Sequence, residues 1–229
     1  MTQNKVLPAP VQWERRVSFK NGIPLIQKQR IDIRGKKFVL INEISKIPLD
    51  ERKNYILLFY TRDCNFNAFY ADLTQERLEV LQGFYAIVSL DFSTHPDGDQ
   101  DENVVAIKRN RRFCTFCQYH DILCIYNVVW SSKADYKLAF SQVEKGNMIA
   151  ISTYRISTSD DELFRNGYKI MKQRIKPSLI LCYGKPQACM EQDEKTGLVI
   201  RIPTRFEIVK YEQIEKSGQY SFLDFLLTA

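Results

Sequence analysis

Histidine is nearly absent from this chain. His95 and His120 are the only two, so chemistry that needs several imidazoles has little to draw on. Glycine is also sparse, at nine residues, and none of them builds a phosphate loop. The first apolar run is followed by Thr61-Arg62-Asp63-Cys64-Asn65-Phe66-Asn67. That stretch has no glycine, so the Gly-x-Gly turn of a dinucleotide fold is missing. Gly184-Lys185-Pro186 has no glycine loop before it and no Ser or Thr after the lysine, which excludes a P-loop. No stretch approaches the roughly 18 uninterrupted apolar residues of a membrane span. The opening MTQNKVLPAPVQWERR has no apolar h-region, and no secretory leader is expected there. The six cysteines are accordingly expected as reduced thiols of a cytosol rather than as disulfides.

Hydrophobic residues make up 45% of the 229 positions, enough to bury a full core without cross-links. The charge is lopsided. Residues 1–53 hold 12 Lys/Arg against 5 Asp/Glu, whereas residues 54–229 hold 21 against 22. A net of +7 at the N-terminal end can mark a surface that meets nucleic acid or an acidic protein. It is equally the pattern of a lysine-rich edge that resists aggregation.

Five apolar runs recur between residues 55 and 183: Tyr55–Tyr60, Ala86–Asp91, Ile122–Trp130, Asn147–Ser152 and Ser178–Tyr183. Their spacing is that of a βαβ unit, with helical segments between them. Asp72 with Gln75 is expected to open the first helix, Ser132 with Asp135 a later one, and Ser159-x-x-Glu162 a third that stops at Pro177. The expected fold is α/β, an open, mostly parallel sheet or an incomplete (β/α) barrel, since five units fall short of a closed barrel. A doubly wound sheet is the runner-up. β hairpins are expected at both ends. Asn21-Gly22 and Arg34-Gly35-Lys36-Lys37 mark hairpin turns on the N-terminal side, and Leu198–Ile202 with Phe206–Tyr211 read as an antiparallel pair. The organisation is a basic β-rich extension (1–53), an α/β core (54–186) and a hairpin with an apolar docking segment, Tyr220–Leu227 (187–229), all in one compact unit.

A parallel sheet gathers its strand C-termini along one edge, and ligands bind there. Arg62, Asp63, Asp91, Ser93, Trp130, Ser131, Ser152, Tyr183 and Lys185 all follow strand ends and form the candidate site. Asp91 could bind a divalent metal or act as a base, and it could equally cap loop amides. Asp63, Asp91 and Ser93 are the catalytic candidates. No Ser–His–Asp set can be assigned from chain order. Lys108, Arg109, Arg111 and Arg112, followed by Phe113 and Phe116, could grip phosphates and stack bases, or form a solvated helix face. Cys114-x-x-Cys117-x-x-His120 lacks a second ligand pair at usable spacing, so no structural zinc is expected.

Asp91-Phe92-Ser93, Arg109-Asn110-Arg111, Trp130-Ser131, Ala150-Ile151-Ser152-Thr153 and Lys176-Pro177 through Tyr183-Gly184 occur in that order. Taken together over about residues 54–186, they resemble an uncharacterised domain-of-unknown-function family carried by bacterial phages, plasmids and other mobile elements. The chain departs from that pattern at Ala106, Cys114 and Cys117, where the family has asparagine, glycine and tryptophan. The resemblance implies a mobile-element protein in the cytoplasm of a bacterial host, and no reaction. Three functions follow as expectations. The first is an accessory protein of replication or transfer that binds nucleic acid. The second is a counter-defence protein that binds a host defence protein or a nucleotide signal. The third is a metal-dependent phosphodiesterase using Asp63 and Asp91.

Overall fold

Strands buried on both faces read as continuous apolar runs in a covered parallel sheet, and the sheet observed is of that kind. The computed structural model describes residues 19–20, 22–154, 156 and 161–216. A two-stranded antiparallel ribbon, β1 (Phe19–Lys20) and β2 (Ile23–Pro24), precedes the main sheet. The main strands are β3 (Lys37–Leu40), β4 (Tyr55–Leu58), β5 (Ala86–Val88), β6 (Cys124–Asn127), β7 (Met148–Ser152), β8 (Leu179–Tyr183) and β9 (Val199–Ile202). All seven pair in parallel, each with its sequence neighbour.

The crossovers carry α1 (Ala68–Ala71), α2 (Gln75–Gly83), α3 (Gln100–Tyr119), α4 (Tyr136–Phe140), α5 (Asp161–Ile175) and α6 (Glu191–Lys195), and α7 (Arg205–Lys216) follows β9. The sequential strand order rules out the doubly wound alternative, which must reverse direction at a switch point. Winding in one direction puts the crossover helices on one face. One core cluster joins Leu57, Ile87, Ile149 and Ile180 of the strands to Leu81, Ile107, Phe140, Phe164 and Met171 of the helices. The other face has its own cluster, Leu40, Ile56, Leu58, Val88, Ile125, Ala150, Leu181 and Ile202, with no helical member. Adjacent residues such as Ile56, Leu57 and Leu58 divide between the two layers as the pleat requires.

The sheet therefore curls as a half-barrel. Its two end strands are tied at the mouth, where Arg205 after β9 meets Glu43 after β3 at 2.9 Å.

Three local expectations are corrected. Lys37–Leu40 is not a hairpin arm: it pairs in parallel with β4 and opens the main sheet, so the core starts before residue 54. Val199–Ile202 pairs in parallel with β8, and Phe206–Tyr211 lies inside α7. No antiparallel pair forms there, because the five-residue α6 returns the chain in the same direction as the other crossovers. The cap of α2 is Thr74, whose hydroxyl accepts from the Arg77 amide at 3.3 Å, and Asp72 instead pairs with Arg77 at 2.7 Å. The Ser132/Asp135 capping box forms as read. Ser159 and Tyr220–Leu227 lie outside the described residues.

Candidate functional site at the mouth of the sheet

The strand ends of β4 to β8 open into one cleft of about 880 Å³. Arg62 and Asp63 enter it from the end of β4, Asp91 and Ser93 from β5, Trp130 from β6, Ser152 from β7 and Tyr183 from β8. Two of the expected residues stand elsewhere. Ser131 is buried, and its hydroxyl and amide both donate to Asp135 at 2.8 Å, which serves the start of α4. Lys185 is exposed and does not line the cleft.

Asp91 is the best-supported group of the site. Its Oδ1 accepts from Asn127 Nδ2 at 2.7 Å. The same Nδ2 donates to the Leu90 carbonyl at 3.3 Å, which can only accept, so the amide orientation is fixed. Asn127 Oδ1 in turn accepts from the Tyr60 hydroxyl at 3.0 Å. Tyr60 stacks on Tyr183 with ring centroids 4.4 Å apart and planes 12° apart. The Tyr183 hydroxyl accepts from the Arg205 amide at 3.2 Å. A continuous chain thus runs across the sheet from the β9 end to the carboxylate.

Burial raises the Asp91 pKa to about 6, the Asn127 hydrogen bond opposes the rise, and the Asp63 charge adds to it. Burial raises Asp63 as well, while Arg109 and His95 pull it down.

A carboxyl held above its unfolded value of 3.8 binds more protons folded than unfolded between that pH and about 6. Its contribution to stability is complete below the lower value and is lost as pH rises through the upper one. Asp91→Asn should therefore melt a few degrees above wild type at pH 7.5 and coincide with it near pH 4. Thermal unfolding across pH checks this, and a variant that melts lower than wild type at pH 7.5 would contradict it.

The loop after Asp91 is pinned by two asparagines of α3. Asn110 accepts from the Phe92 amide at 2.9 Å and donates to the Phe92 carbonyl at 3.1 Å. Asn103 does the same for His95, at 2.8 Å in both directions. They lie seven residues apart, two helical turns, and so share a face. Both are buried, and a backbone–amide pair of this kind holds a loop better than its own turn residues can.

The basic cluster does not form one surface. Arg111 is fully buried, at 0% exposure. Its guanidinium donates to the carbonyls of Pro24, Ala139, Ser141 and Gln142 at 2.8 to 3.2 Å. Its role is structural, and the expectation of a phosphate contact there is corrected. Arg109 lies over the rings of Phe92 and Tyr70. Lys108 is exposed and Arg112 half-buried.

Cys114 and Cys117 are buried against β6, where the Cys114 thiol donates to the Cys124 carbonyl at 3.8 Å, and burial raises both thiol pKa values. Among the described residues, no group of three or more His, Cys, Asp and Glu is placed to hold a metal ion. None of the described helices is long and apolar enough to cross a membrane.

Sequence reasoning missed Tyr60, Asn103, Asn110, Asn127, Arg205 and Phe206. Asn127 was findable, as the polar residue inside the apolar run Ile122–Trp130. The other two asparagines carried only a seven-residue spacing.

The fold and the cleft define the class: a singly wound parallel α/β half-barrel with an aromatic and acidic site at its strand ends. Within that class, the family comparison is specific. Residues 13–202 match the domain of unknown function DUF4417, and the chain belongs to that family. Among curated proteins, the Gene 1 protein of Mycobacterium phage L5 is 26% identical over 139 residues, 60% of each chain. The Gene 1 protein of Mycobacterium phage D29 is 27% identical over 135 residues, 58% of this chain and 50% of that one. The match thus spans between half and three fifths of these relatives' own length. No solved structure matches the chain.

Proposed function

We propose that the protein is a phage or mobile-element accessory protein that works by holding a nucleotide in the strand-end cleft. Binding of a host nucleotide signal, as in counter-defence, is the setting that suits this best. The observation that carries the reading is the composition of the cleft. Trp130, Tyr154 and Phe206 line it together with the stacked Tyr60 and Tyr183, and Arg62 and Arg205 belong to the same lining. Phe206 is 73% exposed there, and exposed aromatics beside a pocket favour a planar partner. The volume, about 880 Å³, falls in the range of small-molecule sites.

Nucleic-acid binding in replication or transfer is the other reading, and the +7 excess over residues 1–53 favours it. The two separate by salt. Contacts to many phosphates weaken steeply with ionic strength, whereas one nucleotide in a pocket does not. Calorimetric titration with nucleoside 5′-monophosphates is expected to give saturable binding that changes little between low and moderate salt. Arg62→Ala should weaken it by about tenfold, the loss of one charge-assisted contact. Steeply salt-dependent binding to an oligonucleotide, with none to mononucleotides, would refute the proposal.

A further inference from the structure

We infer that the cleft hydrolyses the N-glycosidic bond of its nucleotide, with Asp91 as the catalytic base, an inference that rests on the nucleotide reading above. The geometry of Asp91 is that of a positioned base. One oxygen is held by Asn127, whose amide is oriented by Tyr60 and by the Leu90 carbonyl. The described residues place no hydrogen bond on the other oxygen, and the residue lines the cleft. The loop that follows is fixed at Phe92 and at His95 by Asn110 and Asn103, so the carboxylate cannot drift from the mouth.

The choice of bond follows from the charge next to Asp91, where the neighbour felt is Asp63, with Arg62 of the same cleft left to the phosphate. Asp63 and Asp91 line the same cleft, and the Asp63 charge adds to the rise in the Asp91 pKa. Two carboxylates oppose a transition state that gathers negative charge, as phosphoryl transfer does. They favour one that becomes positive, as the sugar does when its glycosidic bond breaks. A proton affinity lifted into the neutral range by burial suits a base that must take a proton from water near pH 7.

In the step itself, a water oxygen bonds to C1′ as the C1′–N bond breaks. Asp91 accepts one proton of that water. The bonding pair stays on the base nitrogen, which takes a proton from solvent. The products are the free base and the sugar phosphate, and Asp91 then returns its proton to solvent.

The test is incubation of the full chain with AMP, GMP, CMP and UMP and with their deoxy forms, followed by chromatography for free base. Wild type is expected to release base from at least one of them, at a rate that rises through pH 6. Asp91→Asn should cut that rate by at least about 100-fold while holding the same nucleotide within a few-fold by calorimetry. Its melting temperature serves as the check on folding. Binding without base release would overturn the inference and leave the nucleotide reading intact. Release of inorganic phosphate in place of base would overturn the choice of bond, and an unimpaired Asp91→Asn would overturn the choice of residue. Absence of any nucleotide binding would instead sink the reading on which the inference rests.

Discussion

Arg111→Met should lower stability by about 3–5 kcal/mol, the cost of a few buried polar groups losing a donor at about 1–3 kcal/mol each. Against a typical total of about 5–15 kcal/mol, that is roughly a fifth of the fold or more. The reason is geometric. Arg111 sits at the junction of α3, the N-terminal segment and the turn after α4, and it donates to four carbonyls belonging to Pro24, Ala139, Ser141 and Gln142. Its plane also covers the Tyr126 ring, 5.2 Å from the centroid. Removing the side chain takes a donor from all four; Ala139 keeps the Tyr126 hydroxyl and Gln142 the Ile26 amide, whereas each buried carbonyl left without a donor costs about 1–3 kcal/mol. Arg111→Lys should lose most of the same amount, because one ammonium cannot span acceptors that a guanidinium fork satisfies together. Lys108→Ala, one turn away and exposed, should stay within about 0.5 kcal/mol of wild type. Urea denaturation of the three variants decides the matter. Equal stability of Arg111→Met and wild type would show that the buried network carries no weight.

Gly167→Ala should be destabilising by about 1–3 kcal/mol, the scale of an overpacked core, although the same change on an open helix face stabilises by about 1 kcal/mol. A Cβ built on Gly167 would stand 2.0 Å from Nε1 of Trp130. The indole lies across the helix at that point, stacked on Phe164 at 5.4 Å and edge-on to Phe140 at 5.5 Å. Neither backbone nor ring can yield by a few tenths of an ångström and recover. Either α5 lifts from the sheet or Trp130 turns into the cleft that it lines. The expected signature is therefore double, with a lower melting temperature and an altered near-ultraviolet spectrum from the indole. Nucleotide affinity should fall with it. Asn166→Ala, exposed on the same helix, should do neither. A stable Gly167→Ala with an unchanged spectrum would remove Trp130 from the account of the cleft.

These two positions also mark where the sequence was legible and where it was not. Gly167 in an amphipathic helix announces a close approach, and only the fold brings Trp130 there. Lys108-Arg109-Asn110-Arg111-Arg112 reads as a basic patch because charge is visible in a sequence and burial is not. The helix turns about 100° per residue, so one arginine faces the core, another lies on two rings and the lysine faces water. The five central strands were readable because runs such as Ser178–Tyr183 are apolar on both faces. The end strands were not. Lys37–Leu40 begins with a lysine and follows a glycine turn, and Val199–Ile202 has Ile200 and Arg201 outside the core, so both carry the look of antiparallel edges. Strand-end placement brought Arg62, Asp63, Asp91, Ser93, Trp130, Ser152 and Tyr183 into view together, because topology alone determines which residues follow strands. The polar supports behind them, Asn103, Asn110 and Asn127, bond across gaps of 8 to 67 residues, and no local pattern encodes such pairs.

Occupancy of the strand-end cleft by a nucleotide is the central claim. The most direct measurement uses Trp13→Phe, which leaves Trp130 as the single indole of the chain. Titrating that variant with each nucleoside monophosphate, and following tryptophan emission, reads the cleft wall itself. A saturable change at the affinity found by calorimetry, insensitive to moderate salt, is the result expected. Emission that ignores every nucleotide, yet responds to an oligonucleotide with steep salt dependence, would contradict it.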